Sequence, residues 1–369
     1  MGILQPIITI LLFFLILGTL VVIHEFGHFV AARIAGVRVL EFGIGFPPRA
    51  KVLRSKGETL YTLNWLPIGG FVKLEGEDGD NATDPRAFSS KSLPVRLAIL
   101  VSGVVMNVLL AFVIFTGVVW LASPLMGVKF AEVQPDSPAA AAGLQPGDTI
   151  VAINGERFQL LVAPDGIDLL RDNAGKTVHL TVVGPDGATR DVTATLRDRS
   201  LIDADHGALG IAQFSFPIDG STTSNDLATA IQVGWKQTVN SMGVIIGGLA
   251  SLVGGFITNP TAAPVAASGP IGIAAGIGNV FFTSGPIMTL LIAGVLSANL
   301  AVVNILPFPP LDGGRMLMIT LKRVFGSRIS LRAEQLTYLV GFVFLFTFLI
   351  WVSGFDVVRL LNGGTLPQP

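Results

Sequence analysis

Val21-Val22-Ile23-His24-Glu25-Phe26-Gly27-His28 is the stretch on which the reading of this chain turns. From Ile7 to Ile23 there is no charged side chain, and the run ends directly on two imidazoles and a carboxylate. An apolar segment of this length predicts a helix that crosses a bilayer. Ionisable groups at membrane depth are costly, and they mark functional sites. Residues four apart share a helix face, so His24 and His28 can grip one metal ion. Glu25, beside them, is placed to work on water. The pattern points to zinc chemistry in a place where water must be admitted on purpose.

Composition agrees. Of 369 residues, 51% are hydrophobic and only 13% are charged, whereas soluble domains run near one quarter charged. The net charge of −1 gives no reason to expect a nucleic-acid partner. There is no cysteine, so zinc ligands must come from His, Asp or Glu, and no disulfide staples an exported part. No basic residue precedes the first apolar run and no small-residue cleavage site follows it, so the first helix is expected to stay in the mature protein.

Four apolar segments are long enough to span about 30 Å of hydrocarbon. They are Pro6–Ala32, Leu97–Ala122, Pro286–Leu306 and Gln335–Val352. The expected fold is therefore a polytopic α-helical membrane protein with about four transmembrane helices. Basic residues crowd the loop from Arg33 to Arg96, and again Arg315, Lys322, Arg323, Arg328 and Arg332. Both loops should be cytoplasmic, which puts the N-terminus and the long middle region outside. Ala228–Phe256 is apolar but carries Trp235, Lys236, Gln237, Asn240 and Ser241. A crossing there would turn the second basic loop outward, so this segment is expected to be an interfacial or partly embedded amphipathic helix.

The first cytoplasmic loop reads as β-rich, with Val37–Phe42, Lys51–Leu53, Thr59–Leu63 and Gly70–Leu74 as strands and Gly43–Pro48 as a turn. Its apolar content would be explained by a sheet that dips toward the membrane. The middle region, Met126–Phe216, predicts a small β module. Its strands are Lys129–Val133, Thr149–Ile153, Thr177–Val183, Thr189–Leu196 and Leu209–Phe214, with a helix over Pro164–Asn173. Asp219–Asp226 reads as a polar linker and Asn259–Pro270 as irregular.

A catalytic zinc site usually has three protein ligands and one open position. The other histidines, His179 and His206, lie in the middle region, on the far side of the membrane in this topology, and read as surface residues. Asp312 is the best third candidate, in Asn304-Ile305-Leu306-Pro307-Phe308-Pro309-Pro310-Leu311-Asp312-Gly313-Gly314. Taken alone, Asp312-Gly313-Gly314 could be only a turn that ends a helix. The first and third spans run the same way, however, so both segments reach the same leaflet. Glu25 would then act as general base toward water and general acid toward the leaving amine. Asn107 and Asn304 could glue helices together, orient a ligand or bind substrate backbone. Gly43 and Gly45 join them as candidate substrate-binding positions. A substrate helix has its amides already bonded, so it must be held extended, and strand addition at the edge of the Val37–Leu74 sheet is the physical means.

These motifs together resemble the bacterial site-2 proteases, intramembrane zinc metalloproteases that include the regulator-of-sigma-E protease type. His24-Glu25-Phe26-Gly27-His28 resembles the first-helix motif, and Asn304-x-x-Pro307-x-Pro309-x-Leu311-Asp312-Gly313 resembles the second. The resemblance implies Zn2+ held by His24, His28 and Asp312. Tyr61–Glu77 resembles the family's membrane-associated β-region, and Ser268-Gly269-Pro270-Ile271-Gly272-Ile273 the segment before its third span. Ser137–Gly155 resembles a PDZ domain, with room for one copy where the sigma-E type has two. Gly45-Phe46-Pro47-Pro48 departs from the frequent Gly-Phe-Gly-Pro by an amide that Pro47 lacks.

The implied organisation is a first membrane part (1–125, with the β-loop at 37–75), a PDZ domain (126–216), a linker with an amphipathic helix (217–285) and a second membrane part (286–369). The implied activity is endopeptidase cleavage of single-span membrane proteins, either anti-sigma-factor-like regulators or signal-peptide remnants. The implied setting is the bacterial inner membrane, multi-pass, with the N-terminus and PDZ domain extracytoplasmic, the lipid bilayer around it and a possible peptide or protein contact at the PDZ groove. A membrane metal transporter would carry more acidic or His residues across its spans, and an inactive PDZ-bearing scaffold would usually have lost Glu25 or a ligand.

Overall fold

The computed structural model describes residues 4–77, 83–162, 166–203, 206–258, 268–326 and 329–361. In chain order its elements are α1 (Leu4–Ile34), β1 (Val39–Arg54), β2 (Leu60–Leu74), α2 (Leu93–Ala122), β3 (Ser123–Met126), β4 (Val128–Val133), α3 (Pro138–Ala141), β5 (Thr149–Ile153), β6 (Glu156–Arg157), α4 (Gly166–Asp172), β7 (Thr177–Val183), β8 (Thr189–Thr195), β9 (Ile211–Ser215), β10 (Ile218–Thr223), α5 (Leu227–Thr258), α6 (Pro270–Asn304), α7 (Asp312–Phe325) and α8 (Leu331–Leu361). Among the described residues five helices are long and apolar enough to cross a membrane: α1, α2, α5, α6 and α8. The chain forms two compact units, one of Met1–Ile114 with Lys236–Pro369, the other of Phe115–Trp235. Most of Asn259–Pro270 and the start of the helix expected at Pro164 lie outside the described residues.

In the first unit, α1 and α2 pack antiparallel at very short range. A Cβ on Gly27 would lie 2.4 Å from the Ser102 carbonyl oxygen and 2.7 Å from Met106. The glycine inside the His-Glu-x-x-His motif is thus demanded by helix packing, as small residues are at membrane helix contacts. The third span is longer than expected and broken. α6 starts at Pro270, and Gly285 interrupts it at φ 81°, ψ −175°, a conformation open in practice to glycine alone. Pro286 then restarts the helix, at a position where its missing N–H costs nothing.

Asp356, near the end of α8, is fully buried and accepts the N–H groups of Gly269 and Gly272, each at 2.9 Å. It thereby closes the open donors at the start of α6 from a neighbouring helix. A Cβ on Gly272 would collide with that carboxylate at 2.8 Å. The spacing of glycines in Ser268–Ile273 is therefore the imprint of a carboxylate 84 residues away from Gly272.

The expected strands of the first loop fuse into β1 and β2. Within them Glu41 pairs with both Leu60 and Lys73, and Gly43 with both Thr62 and Phe71. Glu41–Ile44 is thus an inner run paired on two sides, and Gly70–Leu74 is an outer run. Pairing with β2 reverses direction between Ile44 and Arg49, so the expected turn at Gly43–Pro48 is a fold-back inside a continuous ladder. The tip dips along α1: the Pro67 carbonyl lies 3.7 Å from where a Gly18 Cβ would stand. Its apolar side chains Phe46, Trp65 and Leu66 are exposed.

The second unit holds a sheet in the order β8-β7-β5-β4-β9, with β6 paired to β5. Alternating residues of these strands, among them Val128, Phe130, Ile150, Leu180 and Val182, bury one face around Phe158 and Leu170. Asp219–Asp226, expected as a linker, instead begins within β10, which pairs with β3.

Asp356→Ala leaves two buried N–H groups without acceptors and is expected to cost about 2 kcal/mol or more. Thermal unfolding in detergent checks this, and Asp356→Asn, which keeps an acceptor, should cost less.

Candidate metal centre

His24 and His28 are buried one turn apart on α1. The Nδ1 of His28 lies 2.8 Å from the carbonyl oxygen of Ile99 on α2. A carbonyl only accepts, so Nδ1 carries the hydrogen and Nε2 presents a lone pair. The Nδ1 of His24 lies 3.1 Å from the Asn107 amide, whose Oδ1 is buried without a partner when Nδ2 faces the ring. The opposite amide orientation lets Oδ1 accept the hydrogen of Nδ1 and leaves Nε2 of His24 with a lone pair. Each imidazole is then locked from behind by α2, with Nε2 pointing forward, the arrangement that orients metal-binding histidines.

Asp312 closes the triangle. It is the first residue of α7, so Asp312-Gly313-Gly314 opens a helix and is not the turn considered from sequence. Cβ atoms on Gly313 and Gly314 would fall 2.2 Å from the Ile305 carbonyl oxygen and 2.5 Å from the Phe308 carbonyl carbon. The double glycine lets α7 tuck beneath the chain leaving α6. Oδ2 of Asp312 lies 2.9 Å from His24 Nε2 and 3.2 Å from His28 Nε2, and the two Nε2 atoms are 3.1 Å apart. Three lone-pair atoms this close repel unless a positive centre lies between them. Tetrahedral zinc with ligands at about 2.0–2.1 Å separates them by about 3.3 Å, so the donor set and the spacing fit that ion. Among the described residues this is the one cluster of His, Asp or Glu that could hold a metal ion.

The other candidates separate. Asn304 brings Nδ2 to 3.5 Å from His24 Nε2, on the forward side of the ring. Asn107 is fully buried behind His24, and its backbone oxygen accepts the Ser297 hydroxyl at 2.8 Å. It stands 3.1 Å from the ring nitrogen of His24 and exposes no surface. Gly43 is paired on both sides, and its missing Cβ makes room for the Phe71 ring at 2.3 Å. Gly45 sits at φ +79° against the Leu66 carbonyl. Both glycines serve the sheet, and the run beside Glu25 is the outer one: a Cβ on Gly70 would stand 3.6 Å from Glu25 Cγ. Glu25, His28 and Asp312 line a cavity of about 60 Å3 together with Glu77 and Arg315.

Sequence reasoning missed Gly103. A Cβ there would sit 2.4 Å from His28 Nε2 and 2.7 Å from His24 Cε1. Its signal was available, since it lies one helical turn before Asn107 and shares that face.

The model of peptidase family M50 matches residues 12–348. The chain belongs to peptidase family M50. It is 26% identical to the zinc metalloprotease RasP of Geobacillus kaustophilus, over 95% of this chain and 98% of the relative. It is also 26% identical to the regulator of sigma-W protease RasP of Bacillus subtilis, over 95% and 99%, and 27% identical to RasP of Oceanobacillus iheyensis, over 95% and 99%. This M50 peptidase is a zinc metalloprotease of the site-2 type with several apolar helices able to cross a membrane.

Gly103→Ala is expected to push the imidazoles apart and abolish stoichiometric zinc binding, measured by metal analysis of the purified protein. Gly117→Ala, on the same helix where a Cβ meets nothing within 4 Å, should keep its zinc.

Proposed function

We propose that this metalloprotease cuts single-span membrane proteins within or near the bilayer, with His24, His28 and Asp312 as its zinc ligands and Glu25 as its general base and acid. The convergence of three ligand atoms from distant parts of the chain within 3.2 Å carries this reading. Zinc, when bound, supplies a Lewis acid that polarises a carbonyl and acidifies water. Glu25 takes the proton from the attacking water and delivers it to the leaving amine. Asn107 and the Ile99 carbonyl hold the two rings in the tautomer the metal needs. Asn304 is left facing the reacting side.

The outer run Gly70–Leu74 receives the substrate as an added strand, which exposes a carbonyl that a helix would keep bonded. The nearness of Gly70 to Glu25 supports this. Substrates are regulators of the anti-sigma-factor kind or leftover signal peptides, and the regulatory name of the Bacillus subtilis relative supports the former. The protein lies in the bacterial inner membrane with its N-terminus outside. α1 and α6 run the same way, as the contacts Thr9 to Gly278 and His24 to Asn304 indicate, and α2 runs against α1. One crossing by α2 satisfies that pattern, which supports four spans with α5 lying at the interface. The extracytoplasmic module is a PDZ domain. A cavity of about 280 Å3 between α4 and the edge strand β9, lined by Ile167, Leu170, Leu209 and Ile211, supports a peptide or protein contact there.

Two experiments test the reading. Glu25→Gln should keep zinc at wild-type stoichiometry and stop cleavage of a single-span reporter; equal turnover would reject the role of Glu25. Proline placed singly through Gly70–Leu74 should abolish cleavage at one position or more with zinc still bound, and full activity at every position would remove strand addition.

A further inference from the structure

Glu77 and Arg315 stand beside the metal cluster. Arg315 lies on α7 one turn beyond Asp312, and Glu77 follows three residues after Leu74, the end of the outer run. One carboxylate joins the two. Glu77 Oε1 accepts from Arg315 Nη2, while Oε2 accepts the backbone N–H of Leu74 at 3.2 Å. The two side chains line the cavity that contains Glu25, His28 and Asp312. They also line a second, larger cavity of about 440 Å3, whose walls include Arg96, Lys322 and Tyr338. The ion pair is therefore the partition between the two spaces.

We propose that Glu77 and Arg315 are positioning residues for peptide hydrolysis, a charged clamp that ties the substrate-receiving edge to the helix carrying Asp312. This rests on the site reading given above. The edge and α7 come from segments 238 residues apart at this pair. A strand added to Gly70–Leu74 takes its place from the sheet, whereas the metal takes its place partly from α7. The clamp makes these one frame. Misplacement of a reacting group by about 1 Å costs about 10²-fold in rate. The Glu77 side chain is 10% exposed, so loss of its partner leaves a charge with little water to take over.

The test uses the full-length protein in detergent or vesicles with a single-span reporter. Glu77→Gln and Arg315→Gln should each lower kcat about 10- to 100-fold, with KM within about 3-fold and zinc at wild-type stoichiometry. Arg315→Lys, which keeps a charged donor, should recover most of the loss. The chain has no cysteine, so Leu74→Cys supplies a single thiol at a wall of the inner cavity. Its reaction with a charged, water-soluble thiol reagent should speed up at least 10-fold when Glu77→Gln is added, a readout that needs no activity. Unchanged kcat in both glutamine variants, zinc lost in parallel with activity, or a thiol rate unaffected by Glu77→Gln would overturn the clamp. If Arg315→Gln does not fold, Glu77→Gln and Arg315→Lys decide alone. Failure of the site reading is separate: it would appear as wild-type zinc content or cleavage in His24→Ala and His28→Ala, whatever the clamp variants do.

Discussion

Three electron-pair donors have to be held about 3 Å apart in a site buried from solvent, and much of the first unit answers that constraint. In water the mutual repulsion of two imidazole nitrogens and a carboxylate oxygen would be softened by solvent. Here the protein must fix each donor from behind. α2 does this for both histidines, through the Ile99 carbonyl and the Asn107 amide. Such an arrangement works only if α2 comes close, and closeness is bought with glycine at positions 27 and 103. The third donor arrives on a separate helix whose own entry needs Gly313 and Gly314. The site is thus a packing solution before it is a chemical one.

The candidate site residues were legible because ionisable groups beside apolar runs are conspicuous. His24, Glu25 and His28 interrupt an otherwise apolar run, and Asp312 follows a helix-ending proline cluster. Strands of the second unit were legible for a related reason: alternation against Asn-Gly and Gly-Pro-Asp-Gly turns leaves little freedom in register. What could not be read was reciprocity between distant segments. Asp356 looks like a stray charge in a lipid-facing helix until Gly269 and Gly272 are seen to need an acceptor. Gly43 looks like a flexible edge residue until its two-sided pairing is known. The break at Gly285 was invisible because both halves of α6 are apolar, and only Pro286 hinted at a new start.

Three buried polar groups of the first unit each tie two helices together. Ser297 donates to a backbone oxygen of α2, Asp356 accepts two helix-start amides, and Asn107 serves a ring nitrogen. Each joins one span to another, so the cost of placing it in lipid is offset only when both spans are correctly docked. A helix pair that slipped by one turn would strand these groups, which makes them a check on register as well as a source of cohesion.

The β-sheet beside α1 then has a physical rationale that helices alone cannot supply. A bilayer forbids free backbone amides, which is why substrates enter it as helices and resist hydrolysis there. An edge such as Gly70–Leu74 would cost free energy for the same reason if it faced lipid directly, because its own N–H and C=O groups would go unpaired. Folding it against α1, with exposed Phe46, Trp65 and Leu66 at the dipping end, shields one face of the run and sets Gly70 beside Val22 and Glu25 of that helix. An incoming extended segment, as proposed above for the substrate, would pair those groups and gain main-chain hydrogen bonds that replace the ones its helix gave up. On the proposed function, unwinding of substrate and satisfaction of the edge would be the same event, beside the Glu25 carboxylate.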